Sequence, residues 1–182
     1  WVVAVVLGYT VIAMALESVF GVLGPYNAKL NLNGARPWSW VLASLAIGMA
    51  VGVLISMRVR PKHPLILGMS AQIGMVLWIL TMSLTNNIWL IMFTAFLCGL
   101  GMDMFMILWQ TALQTHIPRD SLSRVSSYDA FGSLALAPFG LVLAGPAAER
   151  FGVSSSLLVL GLVIAVTVLI VLAMPSVRKL EA

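Results

Sequence analysis

Between Ile88 and Thr115 the sequence reads IWLIMFTAFLCGLGMDMFMILWQTALQT, a run of 28 residues with one charged side chain, Asp103. The run contains no proline, so nothing in it forces a helix to end. About 20 apolar residues are enough for a helix to cross a bilayer. A helix also satisfies its own backbone hydrogen bonds in lipid. The stretch therefore predicts a long membrane-spanning helix and an all-α fold.

The composition of the whole chain leads to the same class of protein. Of its 182 residues, 61% are hydrophobic and 9% are charged, and the mean hydropathy is +1.05. Soluble domains carry about 25% charged residues, so this chain has too little charge to cover a water-facing surface. The composition excludes a soluble enzyme, a nucleic-acid-binding domain and a disordered chain.

Charges and prolines divide the chain into six apolar segments, which we predict as one six-helix transmembrane bundle over residues 1–182. The expected helices span about 2–25, 38–57, 65–84, 88–115, 125–148 and 154–174. A longer polar loop follows the first and fourth helices, and a tight turn follows the second and fifth. This spacing predicts an inverted 3+3 repeat, as in one half of a secondary transporter, because a unit of three helices re-enters the membrane from the opposite side.

The distribution of basic residues predicts the orientation. Three of the ten, Lys29, Arg36 and Arg150, lie in the loops after the first, third and fifth helices, and seven lie in the other loops and the tail. Cytoplasmic loops collect Lys and Arg, so we expect a multi-pass protein of the plasma (inner) membrane with both ends of the chain cytoplasmic. Because Trp1 already lies in an apolar run, we also expect the chain to be a fragment.

Two acids fall deep in predicted helices, Glu17 in the first and Asp103 in the fourth. Such a side chain normally faces a bundle interior or a watery cavity. For Glu17, a hydrogen bond to a neighbouring helix and a proton or cation site stay equally open. Asp103, Gln110 and Gln114 share one helix face, which predicts a cavity lining. Trp109 is among the apolar residues that would form its walls, although packing is the commoner role of such residues.

Asp129 has two interpretations. It falls in the first turns of the predicted fifth helix, where the helix dipole favours an anion and Ser126 or Ser127 can cap. We therefore favour a helix-start acid. The alternative is a cytoplasmic charge switch with Arg124 or with a partner outside this chain.

Small residues predict a close helix contact. On the second predicted helix they recur every four positions, at Ser44, Gly48, Gly52 and Ser56. This spacing is typical of helix–helix interfaces in membranes. The single cysteine, Cys98, and the isolated His63 and His116 have no partners at metal-ligand spacing. No phosphate-binding or hydrolase motif is present, so we expect no catalytic residues, metal or cofactor, and a protein that is not an enzyme.

The stretch from Trp109 to Pro146, WQTALQTHIPRDSLSRVSSYDAFGSLALAPFGLVLAGP, resembles the second half of bacterial major facilitator superfamily transporters. The similarity is greatest to the multidrug, macrolide and siderophore (enterobactin exporter-like) efflux branch. The turn RVRP at Arg58–Pro61 also resembles a cytoplasmic loop of that family. The resemblance implies a twelve-helix transporter of two six-helix bundles, of which this chain would supply helices seven to twelve.

The resemblance also implies roles for the polar residues. The first and fourth helices of each bundle line the central cavity in that family, which places Glu17 and Asp103 there. The start of the fifth helix docks on the other bundle, so a cytoplasmic gate would include Arg124, Tyr128 and Asp129.

These observations predict proton-coupled efflux of a small molecule, such as a drug or siderophore, by alternating access. The expected partners are the lipid bilayer, an N-terminal six-helix bundle of the parent chain, the substrate and the proton, with no nucleic acid. The residues expected to bind substrate or protons are Glu17, Asp103, Trp109, Gln110 and Gln114. The alternative is a non-transporting membrane scaffold or binding protein derived from a transporter.

Overall fold

The computed structural model describes residues 1–59, 61–131 and 135–180, without the side chain of Arg119. In these ranges every regular element is a helix. Five helices are long and apolar enough to cross a membrane: Val2–Asn31 (α1), Ala35–Ser56 (α2), Pro64–Leu84 (α3), Ile88–His116 (α4) and Val153–Ala173 (α7). The chain is therefore all-α and has the character of a multi-pass membrane protein.

Three further helices complete the described chain. The segment predicted as the fifth helix contains α5 (Arg119–Ala130) and α6 (Leu136–Phe151), and residues 132–134 between them lie outside the described residues. After α7, the short helix α8 (Pro175–Arg178) follows. α5 begins six residues before the predicted start at position 125, because Pro118 occupies the N-cap position and its lack of an N–H costs nothing at a helix start.

The two long polar loops expected from the sequence are not present. The first helix continues past Pro25 to Asn31, so that only Leu32–Gly34 connect α1 to α2. Pro25 is accommodated because a wide π turn, Val19–Leu23, precedes it and already interrupts the regular ladder. Likewise only residues 117 and 118 separate α4 from α5. The loop-length argument for an inverted repeat was therefore wrong.

Glycines bring the helices into close contact. A Cβ at Gly48 or Gly52 of α2 would overlap backbone atoms of Phe96 or Leu100 on α4. The predicted small-residue contact is thus confirmed, and its partner is α4. Helix α3 also packs on α4, α7 packs on α3, and α1 packs on α6 and α7.

Contacts between helix ends define two opposite faces of the bundle. On one face, which we call the turn face, Trp1 packs edge-on against His116, and the ring of His63 meets the Leu180 carbonyl. On the other face, the loop face, the Asn27 amide donates to the Met82 carbonyl, and Ser83 donates to the Ser154 carbonyl at 2.8 Å. The helices therefore run up and down between these two faces.

Candidate functional site

A cavity of about 540 Å³ opens between the first helix, the fourth helix and the α5–α6 segment. Helix α1 contributes residues spaced three to four apart, which places them on one side of the helix. The described lining residues are Tyr9, Ala13, Leu16, Glu17, Met106, Trp109, Gln110, Ser126, Asp129, Ala130, Ala137 and Pro138. The cavity thus joins three parts of the chain that are distant in sequence.

Two carboxylates define the charge of this cavity. Glu17 is an exposed side chain of α1, and Asp129 is a half-buried side chain near the end of α5. Asp129 Oδ2 accepts a hydrogen bond of 2.9 Å from the indole Nε1 of Trp109 on α4. No Lys or Arg is among the described lining residues. The described wall therefore carries two acidic groups and suits a cation.

Aromatic rings form the wall between α1 and α4. Tyr9 stacks on Phe105 with ring centroids 5.0 Å apart, and Phe105 lies parallel to Trp109 at 6.4 Å. Trp1 packs edge-on against Trp109 at 5.7 Å. Stacked and edge-on rings attract each other beyond the area they bury. The column therefore fixes the indole that donates to Asp129, and aromatic faces also attract cations.

Four of the eight predicted site residues line the cavity: Glu17, Trp109, Gln110 and Asp129. The other four are not among its lining residues. Asp103 is half-buried and lies before the cavity-lining residues of α4, and Gln114 and Arg124 are exposed. Tyr128 is 74% exposed and lines a separate apolar groove against the start of α1.

A polar stripe on α4 consists of Asp103, Gln110 and Gln114, and it lies on the side of the helix that is turned away from the packed interior. Asp103 is half-buried, and Gln110 and Gln114 are exposed. Leu108 and Ala112, on the opposite side of the same helix, are almost completely buried. The stripe therefore extends beyond the cavity on an open side of the bundle.

The interpretation of Asp129 as a helix-start acid was wrong. Because α5 begins at Arg119, Asp129 falls in its last turn, and Asp120 is the acid of the first turn. The side chain of Asp129 accepts a hydrogen bond from Trp109 of the neighbouring helix α4.

Sequence reasoning missed Tyr9, which lines the cavity and stacks on Phe105. A signal was available, because Tyr9 and Glu17 are eight residues apart, a spacing that keeps two residues within one wide face of a helix. Its ring position over Phe105 depends on packing between helices and has no local signature.

The residues that the structure describes contain no group of three His, Cys, Asp or Glu side chains that could hold a metal ion. Comparison of the chain with family models, with curated proteins and with solved structures finds no match. The function must therefore be argued from the geometry of the cavity and the arrangement of the helices.

Proposed function

We propose that this chain forms one half of a secondary active transporter that exports a small molecule in exchange for protons by alternating access. The observation that carries the proposal is the cavity between the apolar helices α1 and α4 and the α5–α6 segment, which Glu17 and Asp129 line together with Tyr9 and Trp109. Ionisable side chains are costly in a membrane and commonly mark ion or substrate pathways.

The charge of the cavity supports a cationic or amphipathic substrate. Two carboxylates attract a positive group, and the rings of Tyr9 and Trp109 offer apolar and cation–π contacts to its aromatic part. Protonation of the carboxylates removes that attraction. A proton and a cationic substrate would then compete for the same groups, which is the competition that an exchange mechanism needs.

The polar stripe on α4 supports a second bundle. Asp103, Gln110 and Gln114 lie on the open side of the helix, and polar side chains do not face lipid comfortably. A second six-helix bundle of a parent chain would cover this side and enclose water between the halves. Of the three residues expected in a cytoplasmic gate, Arg124 and Tyr128 are exposed and accessible to such a bundle, and Asp129 is half-buried.

Helix packing supports an inverted repeat within this half. In each set of three predicted helices, the second and third helices pack on the first helix of the other set. Helices α2 and α3 pack on α4, and helices α6 and α7 pack on α1. Close glycine contacts also occur at equivalent places in the two sets of helices. Gly48 of α2 approaches the Phe96 carbonyl of α4, and Gly140 of α6 approaches the Met14 carbonyl of α1.

The test uses the full-length parent chain reconstituted in vesicles, with efflux of ethidium, a fluorescent lipophilic cation, followed under an imposed proton gradient. We expect gradient-driven flux in the wild type and its loss in Glu17→Gln and Asp129→Asn. Glu149→Gln is the matched control, because this exposed acid lies near the end of α6 and outside the cavity lining. Asp103→Asn tests whether the stripe beyond the cavity takes part.

Two results would count against the proposal. Unchanged flux in both cavity variants would remove Glu17 and Asp129 from the site. Ethidium binding without any gradient-dependent flux in the wild type would favour the non-transporting binding protein. These two outcomes are distinguishable when ethidium binding is also measured in the same vesicles without a gradient.

A further inference from the structure

The turn face carries basic side chains that are far apart in sequence and close in the fold. Lys62 lies in the turn between α2 and α3, and Arg178 and Lys179 lie at the end of α8. Helix α8 packs against the first part of α3. The His63 ring nitrogen Nδ1 meets the Leu180 carbonyl at 3.3 Å, which holds the two segments together.

A buried anchor holds the C-terminal segment in place. Val177 has 0% of its surface exposed, although its neighbours Ser176 and Arg178 are exposed. Arg178 also donates from Nε to the Leu172 carbonyl at 2.7 Å. The segment therefore lies over the end of the bundle beside the turn, and its charged side chains stay at the ends of α3 and α7.

We propose that the basic cluster of Lys62, Arg178 and Lys179 binds the headgroup of an anionic phospholipid. The cluster lies at the ends of two helices that are apolar enough to span a membrane, where the phosphates of the bilayer lie. Basic residues next to a membrane span attract anionic lipids, and each contributes to the attraction. The side chains of all three residues are exposed and can reach a phosphate.

The position of the cluster favours a lipid over a second protein bundle. α3 and α7 pack on each other, whereas the acidic cavity and the polar stripe involve α1, α4, α5 and α6. The cluster is therefore separate from the cavity, and the proposal does not rest on transport.

The test measures how strongly the full chain selects lipids. The protein is reconstituted in phosphatidylcholine vesicles, and the association of spin-labelled phosphatidylglycerol is compared with that of spin-labelled phosphatidylcholine. The wild type should prefer phosphatidylglycerol. The triple variant Lys62→Gln, Arg178→Gln, Lys179→Gln should lower that preference by about threefold or more.

A matched control removes the same number of charges from the opposite, loop face: Lys29→Gln, Arg36→Gln, Arg150→Gln. This triple variant should keep the preference. An equal fall in both triples would overturn the proposal, since net charge alone would then explain the selectivity. No preference in the wild type, or no effect of the turn-face triple, would overturn it as well.

Two further arms test the cluster itself. Val177→Asn keeps every charge but removes the buried anchor, and it should lower the preference for phosphatidylglycerol. Unchanged preference in this variant would contradict the role of the folded-back segment. Replacing chloride by inorganic phosphate at constant ionic strength should leave the preference intact, and its loss would show a site for free phosphate instead of lipid.

Discussion

The indole nitrogen of Trp109 donates a hydrogen bond of 2.9 Å to a carboxylate oxygen of Asp129. The two residues belong to different helices, α4 and α5, and both line the same cavity. The bond ties the aromatic wall of α4 to one of the two acids that we propose as binding groups. It therefore gives a direct way to test whether the two helices are coupled.

We predict a measurable coupling energy between Trp109 and Asp129. Trp109→Phe keeps an aromatic ring beside Phe105 but removes the N–H donor, and Asp129→Asn weakens the acceptor. Hydrogen bonds between helices in membranes contribute about 0.6 kcal/mol on average and up to about 1.7 kcal/mol. A double-mutant cycle, measured by unfolding in mixed micelles, should give about 1 kcal/mol. Trp89→Phe combined with Asp129→Asn is the control, and it should be additive because Trp89 lies at the far end of α4.

The glycine contact between α2 and α4 predicts a sharp difference between two substitutions. Gly48→Ala places a methyl group against the Phe96 carbonyl and should force the helices apart, at a cost of about 1–3 kcal/mol. Gly145→Ala meets nothing within 4 Å, and alanine is the better helix former. Melting temperatures in detergent should fall for the first variant and stay equal or rise for the second. Equal melting temperatures would show that the contact yields without cost.

The apolar runs were sufficient to predict the five described helices that are long and apolar enough to cross a membrane, and the small-residue spacing predicted the contact made by Gly48. The predicted fifth span falls on α5 and α6, neither of which is among those five helices. The connections were not predictable in the same way. Pro25 and the polar residues after it are typical of a loop, yet Asn27 is completely buried and donates to the Met82 carbonyl. Local sequence does not show such a partner, because it lies 55 residues away.

In the candidate site, too, helical spacing predicts some features and others depend on packing between helices. The face shared by Asp103, Gln110 and Gln114 follows from helical spacing alone. The hydrogen bond between Trp109 and Asp129 does not follow from helical spacing, since it requires α4 and α5 to come together at the cavity wall. Periodicity identifies which side chains share a face, and packing decides what that face contacts.

We predict that Gln72→Met stabilises the protein. Gln72 interrupts α3, is 1% exposed, and neither its amide nitrogen nor its amide oxygen has a hydrogen-bond partner among the described residues. Burying an unpaired amide costs about 1–3 kcal/mol, and methionine fills a similar volume without that cost. Thermal unfolding should show a gain of that order, while Gln110→Met, at an exposed position, should change the stability little. A loss of stability in Gln72→Met would mean that the amide is paired, for example with ordered water.

Cysteine labelling can distinguish a water-filled side of the bundle from a lipid-facing side. Gln110 and Val166 are both exposed, and they lie six and seven residues before the ends of α4 and α7 on the same face of the bundle. Their depth in a membrane is therefore similar, and only the medium beside them differs. The native Cys98 is completely buried and should give little background.

A membrane-impermeant maleimide should label Gln110→Cys in vesicles of the full-length chain and leave Val166→Cys unlabelled, because a thiolate forms in water and not in hydrocarbon. Labelling of Gln110→Cys should also fall when ethidium occupies the cavity, since Gln110 lines it. If neither cysteine reacts, the stripe on α4 faces lipid or packed protein, and the proposal of a watery pathway between two bundles is wrong. If both react equally, exposure to water does not distinguish α4 from α7, and the proposal of a water-filled side limited to the stripe on α4 is wrong.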